Sequence, residues 1–255
     1  MVSNSTQMGI VDLVKYTLKR GLQNIALKGD NMICPCCNHS FVTFLPCGVV
    51  SKTSNLKCPN CGSNARGRGL FLFIQKNSSL FFDSMSLLHA APEPMLYKYF
   101  IRQHYNYIPG DLFPKNYGKK TKRIDLTNIP FEDRYLDAII CSHVLEHIPD
   151  DKKAMTEMYR CLKVNGWAIL NVPLGKQIRE KTYEDFSIID PKERLKHFGQ
   201  EDHVRVYGKD YFDRLRSVGF NVEIIDLFNQ LTSEETYKYG LKQQDLIILA
   251  RKSKI

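Results

Sequence analysis

No apolar run in the 255-residue sequence approaches the ~20 residues that a membrane-spanning helix requires; runs such as Leu70–Ile74 and Leu246–Ala250 are far shorter. A secretory signal is not expected either. Met1 to Met8 is polar, and the stretch that follows is broken by Asp12, Lys15, Lys19 and Arg20. A cytoplasmic location without a membrane partner is the expectation. No internal repeat is found. A composition of 43% hydrophobic, 25% charged and 11% aromatic residues excludes disordered, collagen-like and low-complexity chains. Acidic residues are in deficit: 27 Asp and Glu face 36 Lys and Arg, a net charge of +9. That balance suits anionic partners such as RNA, nucleotides or acidic metabolites, and equally fits a lysine-rich proteome. A chain of this length buries a core as one large domain or as a domain plus a small appendage.

What is present falls into three blocks. Residues 7–28 place Ile10, Val11, Val14, Leu18, Leu22, Ile25 and Ala26 at helical spacing, so an N-terminal helix is expected within 1–30. Residues 31–65 hold most of the eight cysteines among Pro, Gly and Asn. From residue 66 to 255 helices and strands alternate. Helices are expected over 66–77, 94–103, Lys152–Leu162 and Lys209–Val218, the third of them stopped by Asn165-Gly166. Strands are expected over Ser86–Ala90, Tyr105–Ile108, Arg123–Ile124, Leu136–Ser142, Trp167–Val172, Phe220–Ile225 and Asp245–Arg251. Such alternation predicts an α/β fold with a mostly parallel, doubly wound sheet. A polar segment of about 174–205 is expected to cap the site.

Cys34-Pro-Cys-Cys37 and Cys58-Pro-Asn-Cys61 are two C-x2-C pairs separated by 20 residues, the spacing of a small zinc ribbon. Each pair offers two thiolates from one turn, and two turns complete a tetrahedron around Zn2+. Gly62 and Asn38 can take the positive φ that such turns need. Cys36 and Cys47 are left over, so an exchange of ligands within the first pair stays open. Four thiolates leave no open coordination position, which assigns this metal to folding rather than catalysis.

In a doubly wound sheet, ligands lie outside the carboxyl ends of the strands. Those ends read His89-Ala-Ala-Pro-Glu93-Pro94, then Asp111, then Asp125-Leu126-Thr127, then Ser142-His143-Val-Leu-Glu146-His147. An acid about 20 residues past the first strand suits the two hydroxyls of a ribose. Any one of these acids alone could instead be a helix cap or a solvated loop charge.

The run from Asp125 to Ile140 resembles the third and fourth motifs of class I S-adenosylmethionine-dependent methyltransferases. Ser142–His147 followed by Met158–Pro173 is similar to their next helix and fifth strand. The resemblance covers residues 84–251 and implies a seven-stranded Rossmann-like sheet with its last strand inserted antiparallel. It also implies S-adenosylmethionine as cofactor, with Asp111 at the ribose, Asp125 and Leu126 at the adenine, and Ser142 and His143 at the methionine end. The family's acidic, glycine-rich first loop is absent. Ala90, Pro92 and Glu93 stand in its place, and Glu93 could reach either the cofactor's amino group or the opening of the following helix. The N-terminal cysteines resemble the ribbon found ahead of some methyltransferase domains.

For chemistry, His143, Glu146 and His147 would share one face of a helix opening near His143. They could hold a divalent metal or act as a base. Certain O-methyltransferases carry a Glu-x-x-Glu-His motif here with a distant His; this chain is similar, with His143 replacing the first Glu and His203 as the candidate distant member. Arg66, Arg68 and Arg205 are candidates for binding substrate, since guanidinium forks suit carboxylate or phosphate; solvation or salt bridging is the alternative. The expected enzyme methylates a hydroxyl of a small metabolite or sugar. The rival readings are an RNA methyltransferase gripping phosphates through the ribbon and basic surface, and a non-catalytic binding module.

Overall fold

The computed structural model describes residues 10–47, 53–103, 105–174, 178–242 and 246–253. The leading residues 1–9, which the signal-peptide reading and the start of the first helix involve, lie outside them. The described residues form two compact units, one of 10–80 with 226–242, the other of 81–225 with 246–253.

The first unit opens with α1 (Ile10–Ala26), within the span its apolar spacing predicts. Two antiparallel pairs follow: β1 (Lys28–Cys34) with β2 (His39–Phe41), and β3 (Leu45–Cys47) with β4 (Thr53–Lys57). Met32, Cys34, Phe41, Phe44 and Cys58 form its small core. Asn64 then caps α2 (Ala65–Lys76) by accepting from Gly67 N. The boundary expected at residue 66 therefore moves. Both α2 and the segment 226–242, which includes a helix at Ser233–Lys238, belong with the cysteines. Arg68 explains why: it is fully buried and donates to the carbonyls of Leu56, Ser63, Tyr239 and Gly240. Gly240 has φ +58, and a Cβ there would come within 2.7 Å of the Phe44 ring, so glycine is needed for both reasons.

The second unit is built on a seven-stranded sheet. Its strands are β5 (Ser86–Ala90), β6 (Asn106–Asp111), β7 (Lys122–Arg123), β8 (Leu136–Ser142), β9 (Leu162–Asn171), β12 (Asn221–Asp226) and β13 (Leu246–Arg251), in the order β12-β13-β9-β8-β5-β6-β7. Strands β9, β8, β5, β6 and β7 run parallel, and β13 is antiparallel to β9. This is the Rossmann-like class I methyltransferase fold expected above. Alternate residues explain the covering of both faces. Leu88, Ala90, Ile139, Cys141, Ala168 and Leu170 meet Met155 and Met158 of α4 (Asp151–Cys161) and Tyr211 and Leu215 of α6 (Asp210–Val218). On the opposite face His89 packs edge-on to Phe100 of α3 (Pro94–Phe100), and Trp167 packs edge-on to Phe81. Tyr99, Tyr105 and Tyr107 gather around Phe100, so these tyrosines line the core edge.

One local expectation is corrected. Asn165-Gly166 does not stop a helix: α4 ends at Cys161, and β9 starts directly at Leu162. Asn165, at φ +65, instead makes a bulge within β9, where Asn165 N donates to Lys252 O and Lys252 N donates to Gly166 O.

After β9, the segment up to residue 206 contains the short antiparallel pair β10 (Tyr183–Glu184) and β11 (Arg205–Val206) and the helix α5 (Pro191–Phe198). The described part of the expected cap begins again at residue 178.

Ile139→Ala removes a side chain buried at the centre of the sheet and should lower stability by about 2–5 kcal/mol in urea denaturation. Ile224→Ala, on the edge strand and 43% exposed, should lower it far less.

Candidate active site

The turn after β8 departs from the regular helix that would put His143, Glu146 and His147 on one face. His143 has a left-handed backbone, φ +58, with its N–H donating to Asn171 O at 2.8 Å. Only Leu145–His147 forms a single 3₁₀ turn. The result is a different grouping. Potential ligand atoms of Glu146, His147 and His203 all lie within 4.8 Å of one another, so the distant histidine joins while His143 stays outside the trio. His143 Nδ1 nevertheless lies 3.5 Å from Glu146 Oε1.

Glu146 is 1% exposed, and its Oε2 has no hydrogen-bond partner although it is buried. Burial alone would raise its carboxyl, but His143 beside it holds it below the usual carboxylate range, so Glu146 is ionised at neutral pH. His147 is pushed down to about 4 by burial, and His203 is lowered for the same reason. Both imidazoles are therefore neutral at pH 7. A carbonyl can only accept, so the contact of His203 Nδ1 with Phe198 O at 3.2 Å puts the proton on Nδ1 and leaves the Nε2 lone pair open. Asp202 Oδ2 lies 3.3 Å from His147 Nδ1 and orients that ring likewise. One carboxylate and two neutral imidazoles with oriented partners can take up a proton or hold a divalent cation.

Cap residues build this cluster. Val204 N donates to Glu146 O, and the His147 and His203 rings meet edge to face at 4.7 Å. Arg205, 1% exposed, donates to the carbonyls of Leu145, Ile148 and Pro149 and to Glu184 Oε2. Its expected role in substrate binding is thus corrected, because backbone oxygens and a carboxylate occupy the guanidinium. Arg68 is corrected for the same reason, its donors being taken by four carbonyls of its own unit. Arg66 stays exposed at the start of α2.

The other strand ends carry their expected residues. Asp111 Oδ1 accepts from Phe113 N at 2.6 Å, and the half-buried Tyr117 phenol lies beside this carboxylate. Asp125 Oδ1 accepts from both Thr127 N and Thr127 Oγ1, which leaves its other oxygen open. Leu126 is part of the core, Ser142 is buried at the end of β8, and Ala90 and Pro92 are buried beneath the first turn. Ala91 takes φ +45, and its N–H donates to Gly110 O. Glu93 keeps 31% of its side chain exposed and makes no side-chain cap bond to α3. Sequence reasoning missed Asp202, Tyr117, and the buried His89 and half-buried Tyr107 behind Glu93. Position alone signalled His89, the residue just before the end of β5; nothing local signalled Tyr117.

In the other unit the sulfurs of Cys34, Cys37, Cys58 and Cys61 converge, with Cys34 Sγ 3.5 Å from Cys61 Sγ and Cys37 Sγ 3.8 Å from Cys58 Sγ. Asn38 and Gly62 both take positive φ, and Gly62 N donates to Cys58 O. The neighbouring thiols and burial push Cys58 far above its ordinary range, so four thiolates can coexist here only around a cation.

A family model described as a methyltransferase domain matches residues 102–170. An uncharacterized protein of Methanocaldococcus jannaschii is 30% identical over 102 residues, 38% of this chain; the match spans 44% of that relative's length. An S-adenosylmethionine-dependent methyltransferase of Mesorhizobium loti shares the fold at 12% identity with a TM-score of 0.50, covering 68% of this chain and 94% of that one. One from Archaeoglobus fulgidus is 15% identical with a TM-score of 0.48, covering 74% of this chain and 96% of that one. The family match supports a methyltransferase domain in the second unit, and the solved structures share its fold. Among the described residues no helix is long and apolar enough to cross a membrane.

Arg205→Ala should lower stability by about 3–5 kcal/mol in urea denaturation, because three buried carbonyls and Glu184 lose their partner. A residue that served substrate alone would leave the denaturation midpoint in place.

Proposed function

We propose that the protein transfers a methyl group from S-adenosylmethionine to a hydroxyl of a small metabolite or sugar. The observation that carries this reading is the Glu146–His147–His203 cluster, which follows β8 at the carboxyl edge where Glu93, Asp111 and Asp125 also lie. The residues fit the cofactor: ionisable carboxylates stand at successive strand ends, each with oxygen lone pairs to spare. Bound there, S-adenosylmethionine supplies an electrophilic methyl group on a positively charged sulfur.

The chain's own residues have separable tasks. Asp111 accepts from the ribose hydroxyls. Asp125, through its open oxygen, and the backbone of the buried Leu126 border the adenine. Ser142 and His143 border the methionine end, and Ala90 and Pro92 shape the turn beneath it. His147 takes the acceptor's hydroxyl proton at Nε2, its Nδ1 being held by Asp202. Glu146 steadies the resulting imidazolium, or with His147 and His203 holds a divalent cation that makes the hydroxyl more acidic; the unpartnered Glu146 Oε2 suits either cation.

The net charge of +9 favours one second reading, an RNA acceptor. Affinity for RNA would then fall steeply with salt, whereas a small neutral acceptor would show little salt dependence. A non-catalytic module would bind no S-adenosylmethionine in calorimetry. For the cysteines we propose a structural Zn2+, since bonds of about 2.3 Å in a tetrahedron set sulfurs roughly 3.8 Å apart, close to the two separations observed.

His147→Ala should reduce methyl transfer by about 10²–10⁴-fold and leave the cofactor dissociation constant nearly unchanged. Parallel loss of both would assign His147 to structure. Transfer that survives a chelator would assign it as base rather than ligand.

Metal analysis of the purified protein should find about one zinc per chain, and Cys58→Ser should abolish it while unfolding the N-terminal unit. A metal-free wild-type protein with the same fold would remove the zinc assignment.

A further inference from the structure

The positive charge of the chain is not spread evenly. Residues 94–124 hold seven Lys and Arg against the single acid Asp111, so 31 residues carry a net +6 of the chain's +9. A composition merely rich in lysine would scatter such charge. Lys98 lies in the last turn of α3, and Arg102 just beyond it. Lys115, Lys119 and Lys120 stand between β6 and β7, and Lys122 and Arg123 make up β7 itself.

All seven are exposed, and among the described residues none has a side-chain hydrogen bond or an ion pair. By contrast, several exposed cations elsewhere in this unit are paired: Lys163 with Asp137, Lys196 with Glu193, Lys209 with Glu180 and Arg216 with Asp213. Seven like charges left unneutralised on one stretch of surface repel one another, and nothing in the packing gains from them.

The fold draws these residues together. A Cβ at Gly118 would run into the Tyr97 ring, and Lys120 N donates to the Tyr97 hydroxyl at 3.3 Å, so the loop lies directly on α3 beside Lys98. Thr121 N donates to Gly118 O and Ile124 N to Asp111 O, which closes the loop onto the sheet. β7 is the last strand in the sheet order, and its Lys122 and Arg123 stand opposite Gly110 and Asp111 of β6. Two apolar side chains stand among the cations: Leu112 is 41% exposed and Phe113 66%.

The position of this patch decides what it can serve. Three strand places separate β7 from β8, after which the Glu146–His147–His203 cluster lies, roughly 14 Å at about 4.8 Å per place. A small acceptor held at the cluster does not reach these cations. An exposed ring among unpaired cations suits a single-stranded nucleic acid, with phosphates on the cations and a base on the ring. Two apolar side chains are few for entering a lipid surface, which takes a whole apolar helix face. RNA is the nucleic acid whose unpaired bases proteins commonly receive on aromatic rings.

We propose that this edge of the second unit docks single-stranded RNA, with its phosphates along Lys98, Lys119, Lys120, Lys122 and Arg123 and a base stacked on Phe113. RNA binding here depends neither on the cofactor nor on which hydroxyl receives the methyl group.

Fluorescence anisotropy on the full chain with labelled polyuridine of ~20 nucleotides tests the surface. Wild-type affinity should fall about 100- to 1,000-fold between 50 and 200 mM salt, the loss expected for about five to seven phosphate contacts on a single strand. The combined Lys119→Gln, Lys120→Gln and Lys122→Gln variant should bind at least about tenfold more weakly and lower the log–log salt slope by about 2. Phe113→Ala should weaken polyuridine about 5- to 100-fold and leave duplex DNA of the same length within about twofold. The same loss of charge in the cysteine unit, through Lys19→Gln, Lys28→Gln and Lys57→Gln, should change RNA affinity by less than about threefold. No binding by the wild-type protein, equal losses in the two triple variants, or unchanged affinity in Phe113→Ala would overturn the inference. So would phosphatidylserine vesicles that retain the wild-type protein and release the Lys119, Lys120 and Lys122 variant while RNA goes unbound.

Discussion

Three carbonyl oxygens in one short turn, those of Leu145, Ile148 and Pro149, converge on the buried guanidinium of Arg205. Regular structure contributes little there: a left-handed residue and a single 3₁₀ turn follow β8. The guanidinium sets the path of the backbone instead. Its charge is balanced locally, because Glu184 pairs with both Arg205 and Arg214, and Asp151 lies against both arginines while accepting from the Tyr207 hydroxyl. Two positive and two negative groups can share such a buried place only because each is bonded. His203 is two residues from the clamp and Glu146 is one residue from a clamped carbonyl. The separation between the two halves of the Glu146–His147–His203 cluster is therefore inherited from one ionic knot.

The sheet was legible in the sequence where strands are apolar and bounded by polar ends. Ser86–Ala90 and Leu136–Ser142 appear with those limits, because strands covered on both faces keep short apolar runs, Leu87–Leu88 and Ala138–Cys141, beside the polar His89 and Asp137. The cysteine pairs were equally legible, since ligand spacing is a local property. Features set by distant partners were not. Asn165-Gly166 reads as a helix stop, but Lys252, just past the last strand, pairs with it and makes it a bulge. Arg68 and Arg205 read as surface forks, and only carbonyls far along the chain reveal them as internal ties. His143, Glu146 and His147 read as one helical face, and the left-handed turn at His143 undoes that periodicity. His203 was nameable as a partner only through resemblance, because 56 positions separate it from His147.

The carboxyl edge of the sheet places its polar groups in two ways. Asp111 and Asp125 are fastened by amides two residues ahead, a local device that any short turn can provide. Glu93 and Glu146 are held through histidines, each with a ring against the carboxylate, within surroundings that would otherwise neutralise them. The first kind leaves acids open to neutral hydroxyls. The second keeps negative charge where solvent is scarce, which is where a positively charged ligand is held most strongly.

Arg68 joins α2 to Tyr239 and Gly240, which lie 171 and 172 positions further along the chain. During synthesis the cysteines leave the ribosome well before the carbonyls that complete their surroundings. At roughly 5–20 residues per second that interval is on the order of ten seconds or more. The second unit waits as well, because β13 (Leu246–Arg251), which pairs with β9 inside its sheet, is made after those carbonyls.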